Sequence, residues 1–266
     1  MTNPPSPFGL PRRDSDGPKW SDGYEDESSL DHGVTPDSGR RDLGGRDPNE
    51  ELTLSIRGVR AKPGEEPGEI DLEIETTRGV IVSHFTPVEG KTGVAIFIGG
   101  AGGGTRGPAN EMYLTLAAEL ALAGVSTLRP EYRKPADFEE CVMDVLACCS
   151  FLKGIGAERA VVVGHSFGGA VAIKVGELAP LISAVCALSS QRFGTFEVER
   201  LGKPLLLIHG SQDDVLDQEA SQDIYRRARE PKRIVILEGD GHGLREHAEE
   251  VRSLVTQYVL EHANPA

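Results

Sequence analysis

Several features that would assign this chain to a large functional class are scarce or missing. The 266 residues contain no run of about 18 apolar residues, so no membrane-spanning helix is expected. There are only four cysteines and none has C-x-x-C spacing, which argues against a zinc site or a disulfide framework. The 28 basic residues are outnumbered by 42 acidic ones, and the net charge of −14 argues against nucleic-acid partners and anionic membrane surfaces.

The first part of the chain differs in texture from the rest. Residues 1–49 are rich in proline, glycine and acidic side chains, and their few apolar residues follow no period. Such a segment cannot bury enough surface to offset its ordering entropy, so we predict a disordered acidic tail before a single domain over 50–266. Residues 1–30 lack the apolar core of a secretory signal, and we expect a cytoplasmic protein with free thiols.

From residue 51 onward, apolar and polar residues alternate as they do in half-buried strands. Alternation over 52–56 predicts one strand. Residues 70–74 and 80–85 alternate likewise on either side of Arg78-Gly79, which is a turn signal. These two segments predict an antiparallel hairpin near the start of the domain.

After Gly93 the pattern becomes one of continuous apolar strands separated by amphipathic helices. The predicted strands are 94–98, 125–128, 160–163, 182–188, 205–208 and 234–237. Helices separate all of them except 182–188 and 205–208; the first helix covers 112–123, and a closing helix starts at Leu244. Strands that are apolar throughout are typical of a parallel sheet covered on both faces. The sequence therefore predicts an α/β fold with a mostly parallel central sheet and an antiparallel N-terminal hairpin.

The strongest local motif is Gly164-His165-Ser166-Phe167-Gly168, which reads G-x-S-x-G. A predicted strand precedes it and a predicted helix follows it, and this context gives the short motif its weight. A serine on so sharp a turn needs small neighbours two positions away, and both glycines supply that space. Ser166 is therefore the candidate nucleophile.

A serine hydroxyl needs a base, and His242 is the best placed histidine. It follows the strand 234–237 in a loop with three glycines, so its ring can reach the edge of the sheet. The other histidines lie on or beside predicted strands, inside the final helix or near the termini.

The imidazole also needs an acid to orient it, and three aspartates are candidates. Asp213 and Asp214 come just after the strand 205–208, where one carboxylate can point at the histidine. Asp240 is a rival, although only two residues before His242 it would more naturally shape its own turn.

Together these motifs resemble the α/β-hydrolase family, whose order of nucleophile, acid and base matches Ser166, Asp213 and His242. The nearest members are small cap-less enzymes similar to dienelactone hydrolases and carboxylesterases. His209-Gly210-Ser211-Gln212-Asp213 resembles the family's H-G-x-x-D loop, which favours Asp213 over Asp214. The resemblance implies an oxyanion hole formed by the N–H groups of Ala101 and Phe167, with Gly100 or Gly102 as alternatives to Ala101.

The Gly99–Gly107 loop also satisfies G-x-G-x-x-G, the dinucleotide fingerprint, which by itself is weak evidence. No acidic residue follows it at the position such a site requires. The stretch 191–201 between two strands is too short for a helical lid, so we expect an open site and no lid domain. Gly100, Arg106, Tyr132 and Arg133 lie on loops near this edge and are candidate substrate-binding residues, the arginines for an anionic group.

The sequence thus predicts a serine hydrolase that cleaves carboxylic esters or thioesters through an acyl-enzyme, with a small acyl ester as its partner and without a cofactor or metal. Acyltransferases use the same acyl-enzyme, and the sequence does not separate the two. The alternatives are a non-catalytic binding or scaffold protein of the same fold and, less favoured, a nucleotide-binding oxidoreductase that uses the Gly99–Gly107 loop. The oligomeric state is left open.

Overall fold

The computed structural model describes residues 53–264. The prediction of a disordered acidic tail over residues 1–49 lies outside the described residues, and so do Leu52 and the last two residues of the chain. Everything below concerns the described part.

Nine strands and five α-helices make up this part of the chain. The strands are β1 (Ile56–Pro63), β2 (Ile70–Thr76), β3 (Gly79–Thr86), β4 (Gly93–Ile98), β5 (Ser126–Pro130), β6 (Arg159–His165), β7 (Ile182–Leu188), β8 (Leu205–Gly210) and β9 (Lys232–Leu237). The helices are α1 (Pro108–Leu122), α2 (Phe138–Gly154), α3 (Phe167–Leu178), α4 (Glu219–Arg227) and α5 (Ala248–Ala263), with a 3₁₀ turn at Val198–Arg200.

The strands form one mixed sheet in the order β1-β2-β3-β5-β4-β6-β7-β8-β9. β1, β2, β3 and β5 pair antiparallel, and the remaining pairs from β5 to β9 are parallel. The predicted hairpin is confirmed as β2 and β3, with Ile74 opposite Ile81. The predicted fold class, a mostly parallel sheet entered through antiparallel strands, is confirmed as well.

Helices cover both faces of the sheet because its central strands are apolar on both sides. β4 and β8 are buried along their whole length. One core layer holds the side chains of α1 and α5, among them Leu116, Leu120 and Val255, and the other holds those of α2, α3 and α4. Burial of this kind is worth roughly 25 cal/mol per Å² of apolar surface, which stabilises the parallel strands.

Two element boundaries differ from the predictions, each for a tertiary reason. The first strand starts at Ile56 instead of covering 52–56, because its ladder is fixed by pairing of Val59 with Ile74. The last helix starts at Ala248, since Leu244 sits in a left-handed turn with φ 51°. The first turn of α1 is left-handed over residues 109–111, with φ between 50° and 61°, so the regular helix begins at Met112, its predicted start.

The sheet brings the predicted site residues to one edge. β4, β6, β7, β8 and β9 are successive neighbours, and each candidate loop follows the carboxyl end of one of them. Residues 189–204 between β7 and β8 contain a single 3₁₀ turn, in keeping with the absence of a lid in that connection. Among residues 53–264, no helix combines the length and apolar character needed to cross a membrane.

A buried ion pair joins the antiparallel part of the sheet to the parallel part. Arg129 on β5 donates to the carboxylate of Glu69, just before β2, and the two side chains are 2% and 3% exposed. The same guanidinium donates from Nη1 to the carbonyl of Thr105 at 3.2 Å. Because a buried charge without its partner is costly, this pair holds the hairpin and the glycine-rich loop against β5.

We expect Glu69→Gln to lower the free energy of unfolding by about 3 kcal/mol, since it leaves the Arg129 guanidinium buried without a counter-charge. The matched control is Glu73→Gln, which removes an exposed partner of Arg60 and is expected to change it by less than about 1 kcal/mol. Urea denaturation of the two variants measures both values, and equal small losses would contradict the role given to the buried pair.

Candidate active site

Ser166 occupies a strained turn between β6 and α3. Its backbone angles are φ 59° and ψ −120°, a conformation that residues with a Cβ rarely adopt. A Cβ on Gly164 would lie 2.0 Å from the carbonyl oxygen of Gly168, and one on Gly168 would lie 2.2 Å from the carbonyl oxygen of Gly99. Only glycine fits at either position, so the motif is a steric requirement of the turn.

Asp213 and His242 meet across two neighbouring loops at this edge. The Nδ1 of His242, after β9, lies 2.8 Å from the Oδ2 of Asp213, after β8. The other oxygen of Asp213 accepts the N–H groups of Val215 at 2.9 Å and Leu216 at 2.8 Å. Burial opposes ionisation of this carboxyl, but the hydrogen bonds from Leu216 and His242 outweigh it and lower the pKa of Asp213.

His165, the residue before Ser166, connects the serine turn to the His242 loop. Its ring centroid lies 4.8 Å from that of His242, and its Nε2 lies 2.9 Å from the backbone carbonyl oxygen of His242. A carbonyl only accepts, so Nε2 carries the proton and donates. Burial lowers the pKa of His165 to about 4, which keeps the ring neutral.

A second buried histidine lies behind the carboxylate of Asp213. The Nε2 of His209 is 3.0 Å from Asp213 Oδ2 and 2.9 Å from the carbonyl oxygen of Leu216, and its Nδ1 is 2.7 Å from the hydroxyl of Ser221. Both neighbours of Nε2 are acceptors, so this nitrogen holds the proton. Burial lowers the pKa of His209, which is therefore neutral near pH 7.

The sequence pattern alone did not distinguish either histidine from an ordinary strand residue. The signals that could have found them were present, because His165 is the second residue of G-x-S-x-G and His209 is the first of H-G-x-x-D. The carboxylate beside His209 is the last residue of its own motif, whereas the partner of His165 is a backbone carbonyl 77 residues away, which no motif indicates.

The two rival aspartates have different surroundings. Asp240 is buried, and its carboxylate accepts the N–H groups of Gly241 at 2.9 Å and His247 at 3.0 Å, so it shapes its own loop. Asp214 is exposed and lines the cavity beside the site. Of the three aspartates, Asp213 is the one that hydrogen-bonds to the ring of His242.

The glycine-rich loop passes directly beside Ser166. A Cβ on Gly100 would lie 3.7 Å from the Cβ of Ser166, and the Gly103 N–H donates to the carbonyl of Gly100 at 3.0 Å. Ala101, at the tip of this turn, is exposed. Because α1 becomes regular only at Met112, the glycines do not lead straight into a helical turn as a dinucleotide fingerprint requires.

A large open cavity of about 1070 Å³ adjoins the site. Its lining comes from the glycine-rich loop, the start of α1 and the His242 loop. Its charged residues are Arg106, Glu111, Glu131, Asp214, Asp240, Arg245 and Glu246. Acidic groups outnumber basic ones in this lining, so it offers little attraction to an anionic substrate.

The candidate substrate-binding residues are placed differently from one another. Arg106 lines the cavity, where its Nη1 lies 2.8 Å from Glu111. Tyr132 is buried and donates its hydroxyl to the carbonyl of Gly99 at 3.2 Å. Arg133 is also buried, and its three guanidinium nitrogens donate to Asp144, Glu140 and the carbonyl of Arg78. The geometry gives no support to substrate binding by Arg133, because its buried guanidinium already pairs with two carboxylates and a backbone carbonyl.

Comparison with known proteins supports the fold described above. The chain is 26% identical over 216 residues to an uncharacterized protein of Mycobacterium tuberculosis, Rv2307c, covering 66% of this chain and 73% of the relative. A dienelactone hydrolase from Anabaena variabilis superposes with a TM-score of 0.66 at 18% identity, covering 74% of this chain and 98% of its own.

Two further solved structures share the fold. Est1E from Butyrivibrio proteoclasticus superposes with a TM-score of 0.62 at 20% identity over 72% of this chain and 98% of its own. XC6422 from Xanthomonas campestris, a serine hydrolase without a lid, superposes with a TM-score of 0.62 at 16% identity, covering 77% of this chain and 99% of its own. The family model for the alpha/beta hydrolase family matches residues 109–245. The chain belongs to the alpha/beta hydrolase family.

Proposed function

We propose that the protein is a serine hydrolase that cleaves carboxylic esters or thioesters. Ser166 Oγ attacks the carbonyl carbon while His242 takes its proton, and the oxyanion accepts the N–H groups of Phe167 and Ala101. The leaving alcohol or thiol departs with the proton from His242, and the acyl group stays on Ser166. Water, deprotonated by His242, then attacks the acyl-enzyme; the bond from Ser166 Oγ to the acyl carbon breaks, Oγ takes the proton back from His242, and the acid is released.

The observation that carries this proposal is the 2.8 Å contact between His242 Nδ1 and Asp213 Oδ2 next to the strained turn of Ser166. A carboxylate at Nδ1 fixes the tautomer that leaves Nε2 free to accept a proton. The same carboxylate stabilises the imidazolium that forms during attack. An ionised acid is needed for both tasks, and the lowered pKa of Asp213 supports it.

Two features support the oxyanion hole. Phe167 is the first residue of α3, so its N–H is one of the free donors at a helix N-terminus. The glycine-rich loop passes beside Ser166 at Gly100, where a Cβ would lie 3.7 Å from the Cβ of Ser166, and Ala101 is the next residue. The mechanism requires no cofactor.

His165 and His209 act in this proposal as positioning residues. The first holds the backbone of His242 through its carbonyl, and the second donates to the same carboxylate oxygen that binds His242. We also place the activity in the cytoplasm, which is supported by four buried, unpaired cysteines. Burial raises the pKa of Cys141 to about 12, so this thiol stays protonated and unreactive.

A fluorophosphonate probe is expected to label the protein once, on Ser166, because this serine lies on the strained turn beside a base. Mass spectrometry of the labelled peptide gives the site, and Ser190→Ala is a control serine on the next loop. Labelling that persists in Ser166→Ala would move the nucleophile elsewhere, and a folded wild type that never reacts would favour the non-catalytic binding protein.

For the acid, we expect Asp213→Asn to reduce kcat/KM on an activated ester by roughly 10²–10⁴, since an amide removes the charge that supports the imidazolium. Asp214→Asn is the matched control and is expected to cost less than about tenfold, as is Asp240→Asn after correction for any unfolded fraction. Steady-state kinetics at pH 8 gives kcat/KM for each variant, and circular dichroism checks that each variant is folded. A larger loss in Asp214→Asn than in Asp213→Asn would overturn the assignment.

The role of His209 has a signature in the pH profile. His209→Leu removes one donor from Asp213, so the carboxylate holds the proton of His242 more tightly and the acid limb of kcat/KM moves to higher pH. We expect a loss in kcat/KM of about tenfold, in the range of a hydrogen bond to a charged group. His209→Gln keeps an N–H donor on the side chain and should restore the limb, whereas an unmoved limb in both variants would leave His209 with a packing role only.

A further inference from the structure

A line of aromatic rings starts beside Ser166 and ends at the surface. The ring centroid of Phe167, the residue after the serine, lies 5.9 Å from that of Phe138. Phe138 lies 5.8 Å from Phe193, and Phe193 lies 6.2 Å from Phe196. Each pair meets edge to face, the arrangement that aromatic quadrupoles favour.

The outer end of this line of rings is exposed at the protein surface. Phe193 is 62% and Phe196 is 64% exposed, and large apolar side chains clustered on a surface commonly mark a binding site. Their ring planes stand at 90° to each other. A third flat ring could stack on one of them and meet the edge of the other, so the corner they form suits an aromatic group.

The loop that carries these rings is held to the serine turn. The Gln191 N–H donates to the carbonyl of Ser166 at 3.3 Å. A Cβ on Gly194 would lie 2.4 Å from the ring of Phe138, so the loop presses closely on that ring. Arg227 on α4 donates to the carbonyl of Thr195 at 2.7 Å. The corner is therefore arranged before any ligand arrives, which lowers the entropy cost of binding.

The geometry of the reaction indicates which half of an ester can lie at the corner formed by Phe193 and Phe196. The leaving alcohol takes its proton from His242, and His242 lines the charged cavity of about 1070 Å³. The alcohol half must therefore lie in that cavity. Phe138, Phe193 and Phe196 lie outside the lining of that cavity, and their line of rings meets the serine turn at Phe167, so the acyl half is the part of an ester that they can contact.

We propose that Phe193 and Phe196, backed by Phe138, form an acyl-binding subsite for aromatic carboxylic acids, so that the protein acts on esters of such acids with polar alcohols. This assignment rests on the proposed function of Ser166 as nucleophile. It names the substrate class that the same site accepts.

Three esters test the assignment: ethyl cinnamate carries its ring on the acid, cinnamyl acetate carries it on the alcohol, and ethyl acetate has none. The quantity compared is kcat/KM relative to ethyl acetate, followed by chromatography of the released acid. Phe193→Ala is expected to lower the ratio for ethyl cinnamate about fivefold to tenfold and to leave that for cinnamyl acetate within twofold, in line with the loss of an aromatic contact. Phe193→Tyr keeps the ring and should retain the ratio.

Leu178→Ala is the control, because Leu178 is an exposed apolar residue at the far end of α3. It should change neither ratio. An unchanged kcat/KM ratio for ethyl cinnamate in Phe193→Ala overturns the subsite. An equal loss for ethyl cinnamate and cinnamyl acetate overturns it as well.

Binding to Ser166→Ala separates this assignment from the proposed function. Saturation-transfer NMR should detect ethyl cinnamate on Ser166→Ala and a much weaker signal on Ser166→Ala with Phe193→Ala. Binding that depends on Phe193 without hydrolysis by the wild type would overturn the proposed function and retain the subsite. Hydrolysis that depends on Ser166 but not on Phe193 would retain the proposed function and overturn the subsite.

Discussion

The buried carboxylate of Asp213 is the interaction around which the carboxyl edge of the sheet is arranged. A buried charge must be fully hydrogen-bonded, and this one accepts from two backbone N–H groups and lies against the rings of His242 and His209. His209 and the backbone donors belong to β8 and the loop after it, whereas His242 comes from the loop after β9. Satisfying one carboxylate therefore fixes the relative position of the two loops, and with them the ring of His242 beside His165.

The surroundings of Ser166 differ in character on its two sides. A wide cavity with charged residues, among them Arg106 and Glu131, lies on the side of the His242 loop. Phenylalanine rings extend from the other side to an exposed corner at Phe193 and Phe196. Under the proposed function, this division would give the two chemically distinct halves of an ester different environments. The short connection over residues 189–204 leaves both sides open to solvent.

Most of the fold could be predicted from local patterns because buried parallel strands and amphipathic helices differ in period. The hairpin of β2 and β3 and the succession of the later strands along the chain followed from such patterns. The boundary near Leu244 could not be predicted, since the left-handed backbone at this residue depends on contacts with another loop. One such contact is the Ala109 N–H donating to the carbonyl of Gly243, the residue before Leu244, at 2.8 Å.

The sequence by itself determined the α/β fold class and the serine turn, because Gly164 and Gly168 are needed wherever that turn occurs. It also brought His242 and two adjacent aspartates to neighbouring loops, although the catalytic roles of these residues stay predictions. Tertiary structure alone decided which carboxylate hydrogen-bonds to the imidazole of His242. It also decided that Arg133 pairs with Asp144 and Glu140, and that the ring of His209 lies against the carboxylate of Asp213. The physical reason is that side-chain pairing depends on how the loops and strand ends are placed in three dimensions, and it leaves no periodic trace in the sequence.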